Sequence, residues 1–278
     1  MLLSTTTETL AEGRRLRVAR LGRGKPVLLL HGYPDSLQIW SALAPRLAAA
    51  AEVIAFDWPG MGDSDPWPGA VTPEHMAERV LALLDHWGLE RVSLVGHDMG
   101  GQPALAFAAR HQDRIERLVV MNTLALPDER TSWEIAVLRR YGLNRLVLRH
   151  LGRPAFWRAE RTFLPPGTRL PEALRAELWR CFRRPEVRAF VARMCAAYEG
   201  ALPRLPALYG EIGCPTLVLW GGNDRHFPPA HARRLQEAIR HAQVAVLPGL
   251  EHWMAWHAAE EIGARIAAFL ATRADGVA

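Results

Sequence analysis

Short apolar runs alternate along the chain with longer segments whose apolar residues recur at helical spacing. Residues 26–30, 52–56, 92–96, 118–122, 215–220 and 243–247 read as strands, and 15–21 reads as an additional early strand. Helical patterns cover 73–87, 99–109, 230–239 and 258–270. Strand, crossover helix and strand in this rhythm predict an α/β fold with a mostly parallel, doubly wound sheet. The strands are continuously apolar, as expected where helices cover both faces of a sheet. Between about 124 and 215 the rhythm stops. That stretch is helical in pattern, for example over 133–150 and 171–184, and prolines punctuate it at 154, 165, 166, 171 and 185. The division predicted is a core of 1–123 and 214–278, with 124–213 as a helical cap over the C-terminal edge of the sheet.

Composition narrows the picture. The 278 residues are 49% hydrophobic and 23% charged, which excludes a disordered or fibrous chain. No apolar run reaches bilayer length, and the N-terminal stretch has no basic leader, so neither a membrane span nor a signal peptide is expected. Cys181, Cys195 and Cys214 form neither a disulfide framework nor a zinc pattern; reduced thiols in a cytoplasmic protein are expected. The net charge is +5, yet residues 131–200 alone carry 14 Arg and 6 Glu, so the rest of the chain is acidic. No nucleic-acid motif accompanies these arginines. They read as the solvated face of amphipathic helices. The partners expected are a small apolar molecule and water, with no nucleic acid and no membrane. Monomer and homodimer stay open.

The strongest chemical signal is VSLVGHDMGG at 92–101, a strand that turns sharply into a helix. Gly96 and Gly100 permit the turn, and Asp98 stands at its tip, where the free N–H groups of a helix start favour an anion. An aspartate there also reads as a plain helix cap. HGYP at 31–34 follows another strand end. Its loop can aim the Tyr33 N–H at Asp98, and the Met99 N–H would complete an oxyanion hole. His31 reads as a structural histidine within this loop. GGNDRHF at 221–227 and GLEHW at 249–253 follow the last two strands, giving the chain order nucleophile, acid, histidine.

With DWPGMGDSD at 57–65, these motifs make the chain resemble the α/β-hydrolases from roughly Arg15 to Leu270. Within them it is similar to the branch with an aspartate nucleophile, which includes epoxide hydrolases and haloalkane and haloacetate dehalogenases. The resemblance implies an eight-stranded sheet with a helical cap after the sixth strand, and a cis peptide before Pro34. It implies Asp98 as nucleophile, His252 as base, Asp224 as its orienting acid, and no cofactor or metal. His97, His226 and His257 lie near the motifs but at none of the motif positions. The other place this branch uses for its acid holds Asn122, which cannot ionise.

An aspartate nucleophile selects its chemistry. A carboxylate is already charged at neutral pH and needs no base for its own attack. Against an acyl carbon it would form a reactive anhydride, whereas at saturated carbon it forms a stable ester. The leaving group then sets the subclass. In haloalkane dehalogenases a Trp follows the nucleophile and an Asn or Glu often follows the HG; here those places hold Met99 and Tyr33. In haloacetate dehalogenases arginines follow the nucleophile; here Met99 and Gln102 stand there. An opening epoxide needs an acid, and a tyrosine that stays protonated can supply it. Tyr141 and Tyr198, in the cap segment, are spaced as in epoxide hydrolases. Both are candidate donors, although a helical tyrosine also serves as plain packing. Trp58 and Trp253 adjoin motif loops and are candidate substrate-binding residues. Trp40, Trp133 and Trp157 read as packing or pocket lining. The expected function is an epoxide hydrolase. The alternatives are a dehalogenase, a non-catalytic binding protein, and an esterase or lactonase.

Overall fold

The computed structural model describes residues 1–272. Its centre is one eight-stranded sheet: β1 Thr6–Thr9, β2 Arg15–Leu21, β3 Pro26–Leu30, β4 Glu52–Phe56, β5 Val92–His97, β6 Ile115–Met121, β7 Thr216–Gly221 and β8 Gln243–Leu247. The spatial order is β1-β2-β4-β3-β5-β6-β7-β8. β1 and β2 pair antiparallel, as do β2 and β4, and every other pair is parallel. The strand that sequence patterning misses is β1. Its Thr-Thr-Glu-Thr carries no apolar face, and three of its four residues are exposed.

Helices α1 Ala44–Leu47, α2 Pro73–Trp87, α3 Gly101–Arg110, α10 Ala230–Ala238, α11 Met254–His257 and α12 Ala259–Ala271 accompany the sheet. α2 begins on Thr72, whose hydroxyl accepts from the His75 N–H, and stops at Gly88 in the left-handed conformation. Every residue of β5 is buried, Ser93 and His97 included, as expected for a central strand covered on both faces.

The stretch between β6 and β7 is helical: α4 Trp133–Arg139, α5 Leu143–His150, α6 Gly152–Phe163, α7 Glu172–Phe182, α8 Pro185–Ala201 and α9 Pro206–Tyr209. The single helix expected over 133–150 is two. Gly142, at φ 94°, separates α4 from α5 in a conformation an L side chain rarely adopts. Arginines clasp this layer to the sheet. Arg180 and Arg184 reach Asp63 in the loop after β4, while Arg17 of β2 reaches Glu177 at 2.6 Å and Asp63 at 3.3 Å. Part of the basic charge seen in the sequence is thus consumed in holding the two layers together. No helix among the described residues is long and apolar enough to cross a membrane.

Candidate active site

The site is built where β5 ends. Asp98 has φ 50°, a left-handed conformation that lifts its side chain out of the strand-to-helix turn. Two close approaches permit this. A Cβ at Gly32 would collide with the Asp98 carboxylate, and one at Gly100 would collide with the Leu30 carbonyl. The Tyr33 N–H donates to Asp98 Oδ2 at 2.7 Å, and the Met99 N–H also serves the carboxylate. Thr123 locks the turn from below, its hydroxyl donating to the Asp98 carbonyl at 2.5 Å. The Tyr33–Pro34 peptide is cis.

His252 lies on the loop after β8. Its Nδ1 is 2.8 Å from Asp224 Oδ2, and its Nε2 is 3.9 Å from Asp98 Oδ1. Asp224, on the loop after β7, accepts three further bonds. The His226 and Phe227 N–H groups donate to Oδ1 at 2.7 and 3.1 Å, and the Asn122 amide donates to Oδ2 at 2.6 Å. Asn122 is itself left-handed, at φ 40°. It is no acid, as its side chain dictates, but a brace for the acid. The helical stretch between β6 and β7 joins in through Phe163, whose ring stands 4.3 Å from that of His252 and whose carbonyl accepts the Trp253 N–H.

Electrostatics follow from burial and partners. Burial pushes the Asp98 carboxyl up to about 6; the His252 charge and the Tyr33 and Met99 N–H groups only partly offset it. Asp224 is just as buried, but His252, Asn122 and the Phe227 N–H outweigh that and hold it down at about 2. Burial resists charging His252; Asp224, then Asp98 and Asp35, outweigh burial and raise its pKa. The competing histidines are accounted for. His97 and His226 are driven neutral chiefly by burial, and His97 bonds the His252 carbonyl. His31 bonds within its loop and to the Trp58 N–H. His257 sits beside Glu251.

A cavity of about 50 Å³ adjoins Asp98, lined also by Tyr33, Met99, Gln102, Cys195 and Tyr198 among others. A larger apolar one of about 410 Å³ lies among α4, α5 and α6. The two share Tyr33, Ile135 and Leu138, which form the partition between them. Tyr198 is buried, and its hydroxyl has no hydrogen-bond partner. Burial, weakly opposed by Arg79, raises its pKa well above that of a free phenol, so it stays protonated.

Not every predicted residue comes to this place. Tyr141 is 60% exposed, beside Gly142 in the break between α4 and α5, and lines neither cavity. Its guanidinium neighbour is Arg145, at 5.7 Å. Trp58 is interior, its indole N–H given to the His31 carbonyl, and Trp253 is likewise buried behind His252; neither lines the two cavities. Sequence reasoning also missed Asp35. It is buried, with the Trp253 indole N–H and the Gly32 N–H beside it but no well-formed hydrogen bond to either oxygen. Burial and the charge of Asp98 raise its carboxyl well above the usual range. Only its place directly after the Tyr-Pro turn could have pointed to it. Among the described residues, metal-ligating side chains converge at Asp63, Glu177 and Cys181, where arginines already neutralise the acids.

The geometry has counterparts. A family model described as alpha/beta hydrolase fold matches residues 25–259. The chain is 30% identical over 265 residues to 2-hydroxy-6-oxo-6-phenylhexa-2,4-dienoate hydrolase of Comamonas testosteroni, covering 91% of this chain and 90% of that protein. It is 36% identical over 120 residues to the soluble epoxide hydrolase of Corynebacterium sp. (strain C12), covering 43% of this chain and 42% of the other. The crystal structure of haloalkane dehalogenase DbeA from Bradyrhizobium elkani USDA94 superposes with a TM-score of 0.83 at 22% identity, covering 96% of this chain and 97% of that one. Sheet order, strand-to-helix elbow and a family match across most of the chain lead to one conclusion: the protein is a hydrolase of the α/β hydrolase fold family.

Proposed function

We propose that the protein is an epoxide hydrolase acting through a covalent ester on Asp98. The observation that carries this reading is Tyr198, which lines the same small apolar cavity as Asp98 and whose buried hydroxyl has no hydrogen-bond partner. A carboxylate oxygen of Asp98 forms a bond to one ring carbon while the bond from that carbon to the epoxide oxygen breaks. Tyr198 gives its proton to the departing alkoxide. Water then attacks the ester carbonyl carbon and His252 takes its proton, with Asp224 supporting the imidazolium. The charge that develops on the Asp98 oxygen is held by the Tyr33 and Met99 N–H groups. Collapse breaks the bond from the carbonyl carbon to the diol oxygen, which takes the proton from His252 and leaves as the diol; the second water proton, left on the Asp98 carboxyl, returns to Tyr198 by way of solvent. The small cavity accommodates the three-membered ring, and the larger one an apolar tail.

The dienoate-hydrolase relative suggests a rival, an acyl substrate bearing a carboxylate. Two features weigh against it. An aspartate attacking acyl carbon forms an anhydride. In addition, both guanidiniums that line the cavities are committed, Arg139 to Glu199 and Arg158 to Glu134. A dehalogenase shares the nucleophile and the base. Intact-protein mass spectrometry of His252→Gln separates these readings. With styrene oxide, the adduct expected carries the full mass of the epoxide and maps to Asp98. An adduct formed only from haloalkanes, lighter than the substrate by one hydrogen halide, would establish the dehalogenase instead. No adduct from either would overturn Asp98 as nucleophile.

A further inference from the structure

Eight large hydrophobic side chains are exposed among the described residues, and six of them fall between 133 and 157: Trp133, Tyr141, Leu143, Leu146, Leu151 and Trp157. Trp133 is 65% exposed and Leu146 58%. Packing does not explain them, because α5 already buries Asn144 and Leu148 on its inner side. Arginines stand among them. Arg140, Arg145, Arg149 and Arg153 make no ion pair with any described residue, unlike the arginines of the clasp on Asp63. Arg145 lies over Tyr141, and Arg153 over Trp157 at 4.4 Å.

Beside Leu146 is a groove of about 510 Å³. Its polar side chains are Arg145, Arg149, His150 and Arg188, with no carboxylate. The Arg188 Nε is buried and unpartnered. Four basic side chains around one groove that the exposed Leu146 also lines match the chemistry of phosphate headgroups above acyl chains. Long arginine stems let the charge stay in the headgroup layer while the apolar neighbours go deeper.

We propose that this face of α4, α5 and α6 docks on an anionic phospholipid bilayer, revising the sequence-based expectation that the protein has no membrane partner. A second copy of the chain fits less well, because a two-fold contact would set these arginines against their own copies. Docking would also place a cavity mouth at the lipid. Trp133, Leu143 and Leu151 are exposed and at the same time line the 410 Å³ cavity whose partition adjoins Asp98. An apolar molecule dissolved in the bilayer would reach the cavity without crossing water. The docking itself does not depend on which reaction Asp98 performs.

Co-sedimentation of the full-length protein with vesicles tests this. Phosphatidylcholine vesicles are compared with phosphatidylcholine–phosphatidylglycerol vesicles at about 0.1 M salt. Expected is binding at least about tenfold stronger to the anionic vesicles, weakened by high salt. Leu146→Asp alone, and Arg145→Glu with Arg149→Glu, should each reduce it by about tenfold or more. None of these residues lines the cavity shared with Asp98, and unchanged thermal melting would show that the variants fold. Equal binding to neutral vesicles, no binding to either kind, or variants that bind like wild type would overturn the proposal. So would a dimer in lipid-free solution that Leu146→Asp dissociates, which would assign the face to a second copy.

Discussion

Replacing Asp98 with asparagine should make the protein more stable while removing its activity. The carboxyl is lifted from 3.8 to about 6, chiefly by burial, so keeping it charged at pH 7 costs about 3 kcal/mol. Asparagine has nearly the same shape, tolerates the left-handed backbone at this position and carries no charge. The attraction to His252 is already contained in that figure, so the expected gain is about 3 kcal/mol. With an unfolding entropy of about 2.1 cal/mol/K per residue, 278 residues convert this to a Tm rise of about 5 °C. The sign with pH is fixed. A folded pKa above the unfolded one means that the folded state keeps its proton longer, so wild-type stability falls as pH rises from about 4 through about 6. The advantage of asparagine is therefore largest at pH 7–8 and shrinks to about a third at pH 4.5. Scanning calorimetry of both proteins at the two pH values measures it. A variant no more stable at pH 7.5, or one whose gain is the same at pH 4.5, would refute the claim that a buried, strained carboxylate sits at 98.

Other expectations follow from the same geometry. In the proposed mechanism Asp98 attacks only when ionised, so kcat/KM should fall about tenfold per pH unit below about 6, and a profile flat down to pH 5 would contradict its raised pKa. Tyr198→Phe should slow epoxide opening by about 10²–10⁴-fold, measured as diol formed, whereas the exposed Tyr141 should tolerate Phe within about twofold. Equal losses would return Tyr141 to the site. Leu138→Ala thins the partition between the two cavities. It should raise kcat/KM for bulky epoxides several-fold over small ones at a stability cost of about 2 kcal/mol, and an unchanged ratio would show that Leu138 does not divide them.

Much of the fold was legible because both its periods were clean. Residues 26–30, 52–56 and 243–247 coincide with strands, and 73–87 coincides with a helix. β1 escaped because alternation needs an apolar face to be visible, and Thr6–Thr9 has none. The break at Gly142 escaped because a lone glycine inside a helical pattern usually costs stability without ending the helix. At the site, Asp98, Asp224 and His252 come together, since each motif fixes a loop at the C-terminal end of a strand of the same sheet. Cap residues are different. Spacing along a chain cannot say which side of a broken helix a tyrosine takes, so Tyr198 faces the cavity and Tyr141 faces outward. The buried carboxyl of Asp35 and the brace from Asn122 depend on contacts between distant segments, to which local pattern is blind.

Gly32 and Gly100 also determine how this enzyme can diverge. Any larger residue at either position puts atoms into the Asp98 carboxylate or the Leu30 carbonyl, so the route by single substitutions is closed there. The cavity walls offered by Ile135, Leu138 and Leu143 are not bound by that constraint. New substrate ranges are therefore reached by drift in the cap while the elbow stays frozen. A library randomised at the three cap positions should yield folded catalysts far more often than one randomised at the two glycines.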